Sequence, residues 1–500
     1  GHPGKIFTDG LPYAFASFYA LTIPLTGVLF LRRQWVLGKA YGYITPGEMY
    51  SDYYGGNSIR LLTVLVAFLF SVPYLGVQLR ASGDLFNVLT DGLISVDVGM
   101  FALSTVVMIY VASGGLKSVA FVDCAQAILL AVGIMVLGGV TLNYLGGWSS
   151  FTAGLADLVR SDIESGNNLT LDGFSKKVAI PGSIQMVPQG SDSIGGSWTG
   201  IMCMTYMFAL MGIQSSPAFS MWAFSNKTSQ AFRWQQVFAS ALFIGVLLFT
   251  FTIIQGTGGN LLIERGVIES ANDKTLVPQL INLLSDSTPW LVGLLAVCAL
   301  AAMQSTGAAY MSTFSAMVTR DIFTKFINPN ATDSVQKLCG RIFVIIVTLA
   351  ALFVAANSTQ AIVMLGGLAV AYGFQMYPAL IGLCYYKGFT KKGVVAGLIV
   401  GLIAVTLTDS TSAWFNVPWG AYPLTIHSAG WGIIFNLFVT FFVSFLLGEP
   451  SKEKNKKERK HLLLQTVSAL DPKRKRQVSL AWVLTLIWFL VGFGPVSYTH

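Results

Sequence analysis

Residues 299–321 read ALAAMQSTGAAYMSTFSAMVTRD and continue an apolar run that begins at Trp290. The run is long enough to cross a bilayer, because about 20 residues span the hydrocarbon core as a helix. Its second half nevertheless carries an amide and several hydroxyl groups, on Gln304, Ser305, Thr306, Ser312, Thr313 and Ser315. Polar groups in a membrane helix either bond to neighbouring helices or form a binding site, and both interpretations remain open here.

The composition of the whole chain agrees with a membrane location. Apolar residues make up 54% and charged residues 11%, whereas soluble domains carry about 25% charged residues. The mean hydropathy is +0.64. Because the apolar runs are continuous rather than alternating, they predict helices and an all-α polytopic membrane protein, not a β-barrel.

About twelve runs have the length of a membrane span. They lie near residues 11–31, 59–80, 95–112, 119–146, 197–219, 236–257, 289–316, 341–357, 360–386, 393–409, 428–447 and 480–497. We therefore expect a single transmembrane domain over residues 1–500, in which the charged segment 449–478 is a linker before the last span. Several runs contain proline or glycine beside polar residues, at Pro73, Pro217 and Pro378. This pattern is typical of the discontinuous helices of secondary transporters.

The net charge of +8 raises the question of a nucleic-acid partner. If the connection at 32–58 faces the cytoplasm, most of the 31 Lys and Arg residues fall on the cytoplasmic side, as the positive-inside rule requires. Membrane topology or contact with anionic lipid accounts for the basic segment SKEKNKKERKHLLLQ better than nucleic acid does. We expect a lipid bilayer and no nucleic acid as partners, with the basic loops in the cytoplasm.

Other site classes find no support in the sequence. The five cysteines stand singly without CxxC spacing, and the four histidines are scattered, so neither a disulfide framework nor a zinc site is indicated. Hydrolytic and phosphate-binding motifs are also lacking, and we expect no enzyme activity. There is no initiator methionine or signal peptide, which suggests a truncated N-terminus.

Three residues of the opening stretch suit a cation. Ala302, Ser305 and Thr306 stand at i, i+3 and i+4 and share one helix face. Two hydroxyls and an open backbone carbonyl can supply about three oxygen ligands, and their neutrality favours a monovalent ion. Close helix packing is the competing explanation, since small and hydroxyl residues also serve that purpose.

Asp123 is the second polar residue that stands out, four or five residues into its span. A carboxylate near a helix N-terminus is stabilised by the helix dipole. Intramembrane acids are nevertheless often functional. The second interpretation makes Asp123 a stopping point for a cation on the inner side.

Three motifs resemble the sodium:solute symporter family, which includes sodium/galactose, sodium/proline and sodium/sialic acid transporters. They are ITPGEMYSDYYG at 44–55, SGGLKSVAFVDCAQ at 113–126 and AAMQSTGAAYMSTFSAMVTRDIF at 301–323. The resemblance implies a leucine-transporter-like fold of two inverted five-helix repeats and solute import driven by Na⁺. It places core helices two to ten at 11–386 and peripheral helices at 393–500, so the first core helix is expected to be missing.

The resemblance also implies roles for individual residues. Sodium ligands carry over to the Ala302 carbonyl and the Ser305 and Thr306 hydroxyls, and Asp123 falls on the inward release path. Some relatives in the family carry hydroxyl residues one step beyond the sodium pair, where they bind a second ion. Alanines occupy those positions, 308 and 309, in this sequence, so a second sodium site is not expected.

The solute is less well defined. Positions where sugar transporters carry Asn and Gln are Met207, Gly367 and Val370 here, which disfavours sugar. The candidates for solute binding are polar residues of the predicted spans, and each can equally form an interhelical hydrogen bond: Gln78, Tyr206, Gln214, Tyr372 and Gln375. The resulting hypothesis is a sodium-coupled importer of a small organic solute in a bacterial inner membrane. The alternatives are the input module of a membrane sensor kinase and a sodium-independent uniporter.

Overall fold

The computed structural model describes residues 1–170, 173–179, 198–234, 238, 245–357 and 362–491. Within these ranges the regular secondary structure is helical, without a β-strand, and the predicted all-α class is confirmed. The predicted runs 197–219, 236–257, 360–386 and 480–497 each extend in part outside the described residues.

The helices are numbered along the chain. They are α1 His2–Asp9, α2 Leu11–Tyr41, α3 Pro46–Tyr54, α4 Ser58–Leu89, α5 Val96–Gly115, α6 Lys117–Tyr144, α7 Gly147–Glu164, α8 Gly200–Ser215, α9 Pro217–Ser225, α10 Val246–Glu264, α11 Leu276–Asn282, α12 Pro289–Ile327, α13 Asp333–Asn357, α14 Ile362–Phe374, α15 Tyr377–Cys384, α16 Lys391–Thr408, α17 Ser428–Leu447, α18 Ser451–Ala469 and α19 Pro472–Val491.

In the described part of the chain, ten helical spans are long and apolar enough to cross a membrane, with Met364–Cys384 of α14 and α15 counted as one, against about twelve predicted runs. Two of those runs account for the difference, although their described parts are mainly helical. The run at 197–219 is divided, because Ser216 adopts an extended conformation (φ −60°, ψ 146°) that ends α8 before Pro217 starts α9. The described part of the last run, residues 480–491, belongs to α19, which begins within the basic segment.

Proline and glycine interrupt some of the predicted helices and not others. Pro217 and Pro378 lie in the first turns of new helices, as expected for discontinuous spans. Pro73 instead lies inside the continuous helix α4, so the expected break there is wrong. Gly115 joins α5 to α6 with φ 62° and ψ −168°, a conformation that is essentially restricted to glycine.

The short helix α3 begins as the sequence predicted. The Thr45 hydroxyl accepts a hydrogen bond from the Glu48 backbone N–H at 3.2 Å, and the Glu48 carboxylate accepts one from the Thr45 backbone. This reciprocal capping box satisfies two donors that the first helical turn leaves unpaired.

The packing of the helices positions the central site. Helix α12 lies against α4, α5, α6 and α13, while α14 packs between α4 and α8. Helix α1 packs mainly on α10, and α16 pairs with α17. The polar second half of α12 is therefore surrounded by protein on several sides, which is the setting in which polar groups are tolerated at membrane depth.

Candidate solute and sodium site

A cavity of about 410 Å³ lies between eight of the helices. Its wall is formed by side chains and backbone of α1, α4, α6, α8, α10, α11, α12 and α14. This volume lies in the usual range of small-molecule pockets. The lining is mainly apolar, with Leu130, Leu137, Leu210 and Leu295 among its residues.

Only a few polar side chains reach the cavity, and several of them already have partners. The Gln255 amide donates to the Ile134 carbonyl at 2.9 Å, and the Thr252 hydroxyl donates to the Phe249 carbonyl at 2.9 Å. His2 forms a hydrogen bond with the Ser17 hydroxyl at 2.7 Å. These bonds hold the wall in shape and leave a small number of polar groups for a ligand.

Two of the five predicted solute-binding residues line this cavity. They are Gln78 on α4 and Tyr206 on α8. Among the described residues the Gln78 side chain has no hydrogen-bond partner, so its amide is available to a solute. Gln214, also on α8, is buried, and its Oε1 has no hydrogen-bond partner in the described part of the chain.

The other two predicted solute-binding residues bond to peripheral helices instead. The Tyr372 hydroxyl pairs with the Thr406 hydroxyl on α16 at 2.8 Å. The Asn436 amide on α17 donates to the Gln375 backbone carbonyl at 2.9 Å and to its side-chain oxygen at 3.2 Å. These contacts match the interhelical alternative that the sequence left open.

The three predicted sodium ligands form a compact group of oxygens on α12. The Ser305 hydroxyl donates to the Ala302 carbonyl at 3.2 Å, and the Thr306 hydroxyl does so at 3.4 Å. Ala302 also belongs to the cavity wall. The oxygen group therefore adjoins the space in which a solute would lie.

Asp123 lies on α6, one helical turn from a residue that contacts α12. The Gln126 amide donates to the Gln304 side-chain oxygen at 2.9 Å, and the Tyr110 hydroxyl donates to the Gln304 carbonyl at 3.3 Å. The Asp123 Oδ1 atom is buried and lacks a hydrogen-bond partner among the described residues. A buried, unpaired carboxylate oxygen is unfavourable unless a proton or a cation visits it.

The residues before position 11 had no predicted role, and the structure brings the first three of them into the site. Gly1, His2 and Pro3 line the cavity, and α1 ends at Gly10, which has φ 75°. The available signals were a proline at the start and a glycine at the end of a short stretch. Eight residues are too few for a span, which is why the stretch escaped the search for apolar runs.

A second polar cluster joins α3, α4 and α12 at the Ile327 end of α12. The Thr45 hydroxyl donates to Asp321 at 2.9 Å, and the Arg60 guanidinium lies 3.4 Å from the same carboxylate. Arg320 pairs with Glu48 at 3.3 Å. Since Asp321 is fully buried, this cluster fixes three helices to one another.

Comparison with known protein families and sequences gives consistent matches. The family model described as "Sodium:solute symporter family" matches residues 1–401. The chain is 23% identical over 459 residues to a Rhizobium johnstonii protein named monocarboxylate transport permease protein, covering 90% of this chain and 84% of that protein. It is 23% identical over 471 residues to the sodium/proline symporter of Escherichia coli, covering 91% and 84%.

Two solved structures resemble the fold. One is a Na⁺-coupled sialic acid symporter in a substrate-bound, outward-open state, with a TM-score of 0.65 and 16% identity over 89% of this chain and 86% of that one. The other is a nucleobase-cation-symport-1 family transporter in a closed conformation, with a TM-score of 0.53 and 10% identity over 92% of both chains. These similarities confirm the predicted leucine-transporter-like architecture.

Proposed function

The chain belongs to the sodium:solute symporter family, and from this premise we propose that the solute it carries is a small organic acid. As a member of the family it is a multi-pass membrane transporter that couples sodium to the movement of a small solute, and not an enzyme. The observation that carries the proposed coupling of solute and sodium is the position of Ala302, which belongs both to the cavity wall and to the oxygen group of α12.

The proposed solute class rests on chemistry that several similar proteins share by name. A monocarboxylate, proline and sialic acid appear in the names of two relatives and one structural neighbour. All three are carboxylic acids of small size. A cavity of about 410 Å³ with an apolar wall and a few polar groups suits such a molecule, because the wall takes the carbon skeleton and the polar groups orient the acid.

Sodium is the coupling ion of the family, and we assign its ligands to the Ala302 carbonyl and the Ser305 and Thr306 hydroxyls. Neutral oxygens at this spacing replace part of the hydration shell of a monovalent cation. Asp123 supplies a carboxylate on the path by which the ion leaves. We propose a single sodium site, since Ala308 and Ala309 have no hydroxyl group that could bind a second ion.

The proposed location is the inner membrane of a bacterium, with the basic connections in the cytoplasm. The relatives named above are bacterial. Helix α18 and the start of α19 hold ten of the 31 Lys and Arg residues, and the positive-inside rule places such a segment in the cytoplasm.

The proposed function is tested by uptake of labelled L-proline, pyruvate and N-acetylneuraminate in cells that express the protein. External NaCl is compared with choline chloride, and cells without the protein give the background. We expect at least one acid to enter only when sodium is present. Uptake that is equal in choline would indicate a uniporter, and the absence of uptake of all three acids above the background would contradict the proposed solute class.

A further inference from the structure

His427 lies between α16 and α17, immediately behind the wall of the cavity. Its side chain is 1% exposed. The ring packs edge-on against Tyr206, with ring centroids 5.2 Å apart, and stacks on Tyr422 at 5.4 Å. The His427 backbone N–H donates to the Thr205 hydroxyl at 2.9 Å. The imidazole is therefore held in one position by two aromatic rings and a backbone anchor.

The hydrogen bonds of His427 define the location of its proton. The Ala429 backbone N–H donates to Nδ1 at 3.2 Å, so Nδ1 carries a lone pair and the proton of the neutral ring is on Nε2. Burial lowers the pKa of His427 to about 4, which keeps the ring neutral at physiological pH. Among the residues that the structure describes, the Nε2–H group has no hydrogen-bond partner. An N–H group without a protein partner can donate its hydrogen bond to a bound molecule.

A glycine separates this donor from the cavity. A Cβ atom at Gly367 would lie 3.5 Å from His427 Nε2, in van der Waals contact with the nitrogen. Gly367 itself lines the cavity, as does Tyr206, whose ring packs against the imidazole. The missing side chain at position 367 thus leaves a gap through which an acceptor in the cavity can approach the N–H group.

We infer that the Nε2–H group of His427 donates a hydrogen bond through this gap to the carboxylate of the transported solute. The inference rests on the proposed function and adds a binding residue from outside the predicted core helices. A carboxylate is the favoured acceptor, because hydrogen bonds to ionised groups are stronger than those between neutral groups. The described lining of the cavity contains neither Lys nor Arg, so a neutral donor such as this N–H group can contribute to orienting the acid.

Two substitutions test the contact from its two sides. His427→Asn keeps an acceptor near the position of Nδ1 for the Ala429 N–H but removes the Nε2 donor. Gly367→Ala keeps the donor and fills the gap. Dissociation constants of L-proline, pyruvate and N-acetylneuraminate and of their methyl esters are measured in NaCl by calorimetry on the purified protein. The readout is the preference for each acid over its ester.

We expect the wild-type protein to prefer the acid over its ester. In each variant this preference should fall about tenfold, because one hydrogen bond to a charged group is lost. In the double variant the second change should add no further loss, because both act on one contact. An unchanged preference in His427→Asn, with binding retained, would overturn this inference alone. If the wild-type protein binds none of the acids in NaCl, the proposed function fails as well. If His427→Asn loses all binding, its thermal unfolding is compared with that of the wild-type protein. Equal loss of acid and ester binding in a variant with wild-type thermal stability would also overturn the inference.

Discussion

At the scale of single residues, the hydroxyls of Ser305 and Thr306 are the groups most directly tied to sodium. Replacing both by alanine removes two oxygens while leaving the Ala302 carbonyl in place. We expect the sodium concentration for half-maximal uptake to rise by about tenfold or more, since each lost ligand contributes on the order of 1 kcal/mol. Ser312→Ala is the matched control, because Ser312 lies on the same helix but bonds to the Ala309 carbonyl. Equal sodium dependence in all three proteins would contradict the assignment.

Asp123 provides a second test at this scale. Asp123→Asn removes the charge and leaves the Gln126 contact to α12 intact. If the carboxylate receives sodium on its way out, the maximal uptake rate should fall severalfold at saturating sodium, while the affinity for external sodium changes little. The measurement is uptake over a range of sodium concentrations. A purely structural role as a helix-terminal acid would instead lower the thermal stability without a selective effect on the maximal rate.

The site was only partly predictable from individual residues. The shared face of Ala302, Ser305 and Thr306 follows from helix periodicity, which is a local property. The roles of Tyr372 and Gln375 do not follow from helix periodicity, because this segment presents one side to the cavity and another to α16 and α17. Gly367 and Val370 on the cavity side have no polar group to attract notice. His427 escaped because it is distant in sequence and reaches the cavity only through tertiary packing.

At the scale of elements, the break between α5 and α6 depends on one glycine. The backbone of Gly115 has φ 62° and ψ −168°, while Gly139 on α6 is helical and has open space for an added Cβ atom. Gly115→Ala should destabilise the protein by about 1–3 kcal/mol, the cost of a non-glycine residue in that region. Thermal unfolding in detergent should show a lower midpoint for Gly115→Ala than for Gly139→Ala. The reverse order would contradict this account of the kink.

Helix α18 gives a prediction about docking. Its buried face carries two lysines: Lys457 donates to the Phe389 carbonyl and to Glu449, both at 2.6 Å, and Lys460 bonds to Asp52 on α3. Burial alone would raise the pKa of Asp52, but its hydrogen bonds with Lys460 and Tyr43 hold it below the usual value.

Removing the Lys460 charge should therefore release α18 from α3. We expect Lys460→Met to increase protease cleavage within α18, because Asp52 loses its hydrogen-bonded partner. Since the Asp52 side chain is 39% exposed, the pair contributes on the order of 1 kcal/mol. Lys454→Met, on the exposed face of the same helix, is the control. Identical cleavage of the two variants would show that the pair does not hold the helix.

The same helix illustrates the limit of sequence reasoning about elements. The charge of 449–478 predicted a linker, and the structure forms a helix whose buried residues are Lys457, Lys460, His461 and Leu464. Those positions follow helical spacing, but lysines are rarely counted as buried. Their burial depends on tyrosines of α2 and α3, with the Lys457 ammonium 4.8 Å from the Tyr54 ring centroid. The sequence does not reveal this partner surface.

At the scale of the whole molecule, the fold was largely predictable because the length and continuity of apolar runs determine the spans. Ten of the predicted runs correspond to long helices in the described residues. The cavity was not predictable, since its wall combines eight helices that are far apart in the chain. Its existence depends on the three-dimensional arrangement of the helices.

A native cysteine reports on the state of this cavity. Cys298 on α12 lines the wall, whereas Cys124 is exposed elsewhere. In a Cys124→Ser background, sodium together with the transported acid should slow the reaction of Cys298 with a small methanethiosulfonate reagent. The rate is followed by mass spectrometry. Labelling that is unaffected by sodium and solute would contradict the location of the solute in this cavity.

The central claim is that the solute and sodium sites meet at Ala302 and are energetically coupled. Coupling is reciprocal, so sodium must tighten the binding of the solute. The direct measurement is the calorimetric dissociation constant of the transported acid in NaCl and in choline chloride, for the wild-type protein and for the Ser305→Ala, Thr306→Ala double variant. We predict tighter binding in sodium for the wild type and no sodium effect in the variant, with sodium-free affinity preserved. A sodium effect of equal size in both proteins would contradict the claim.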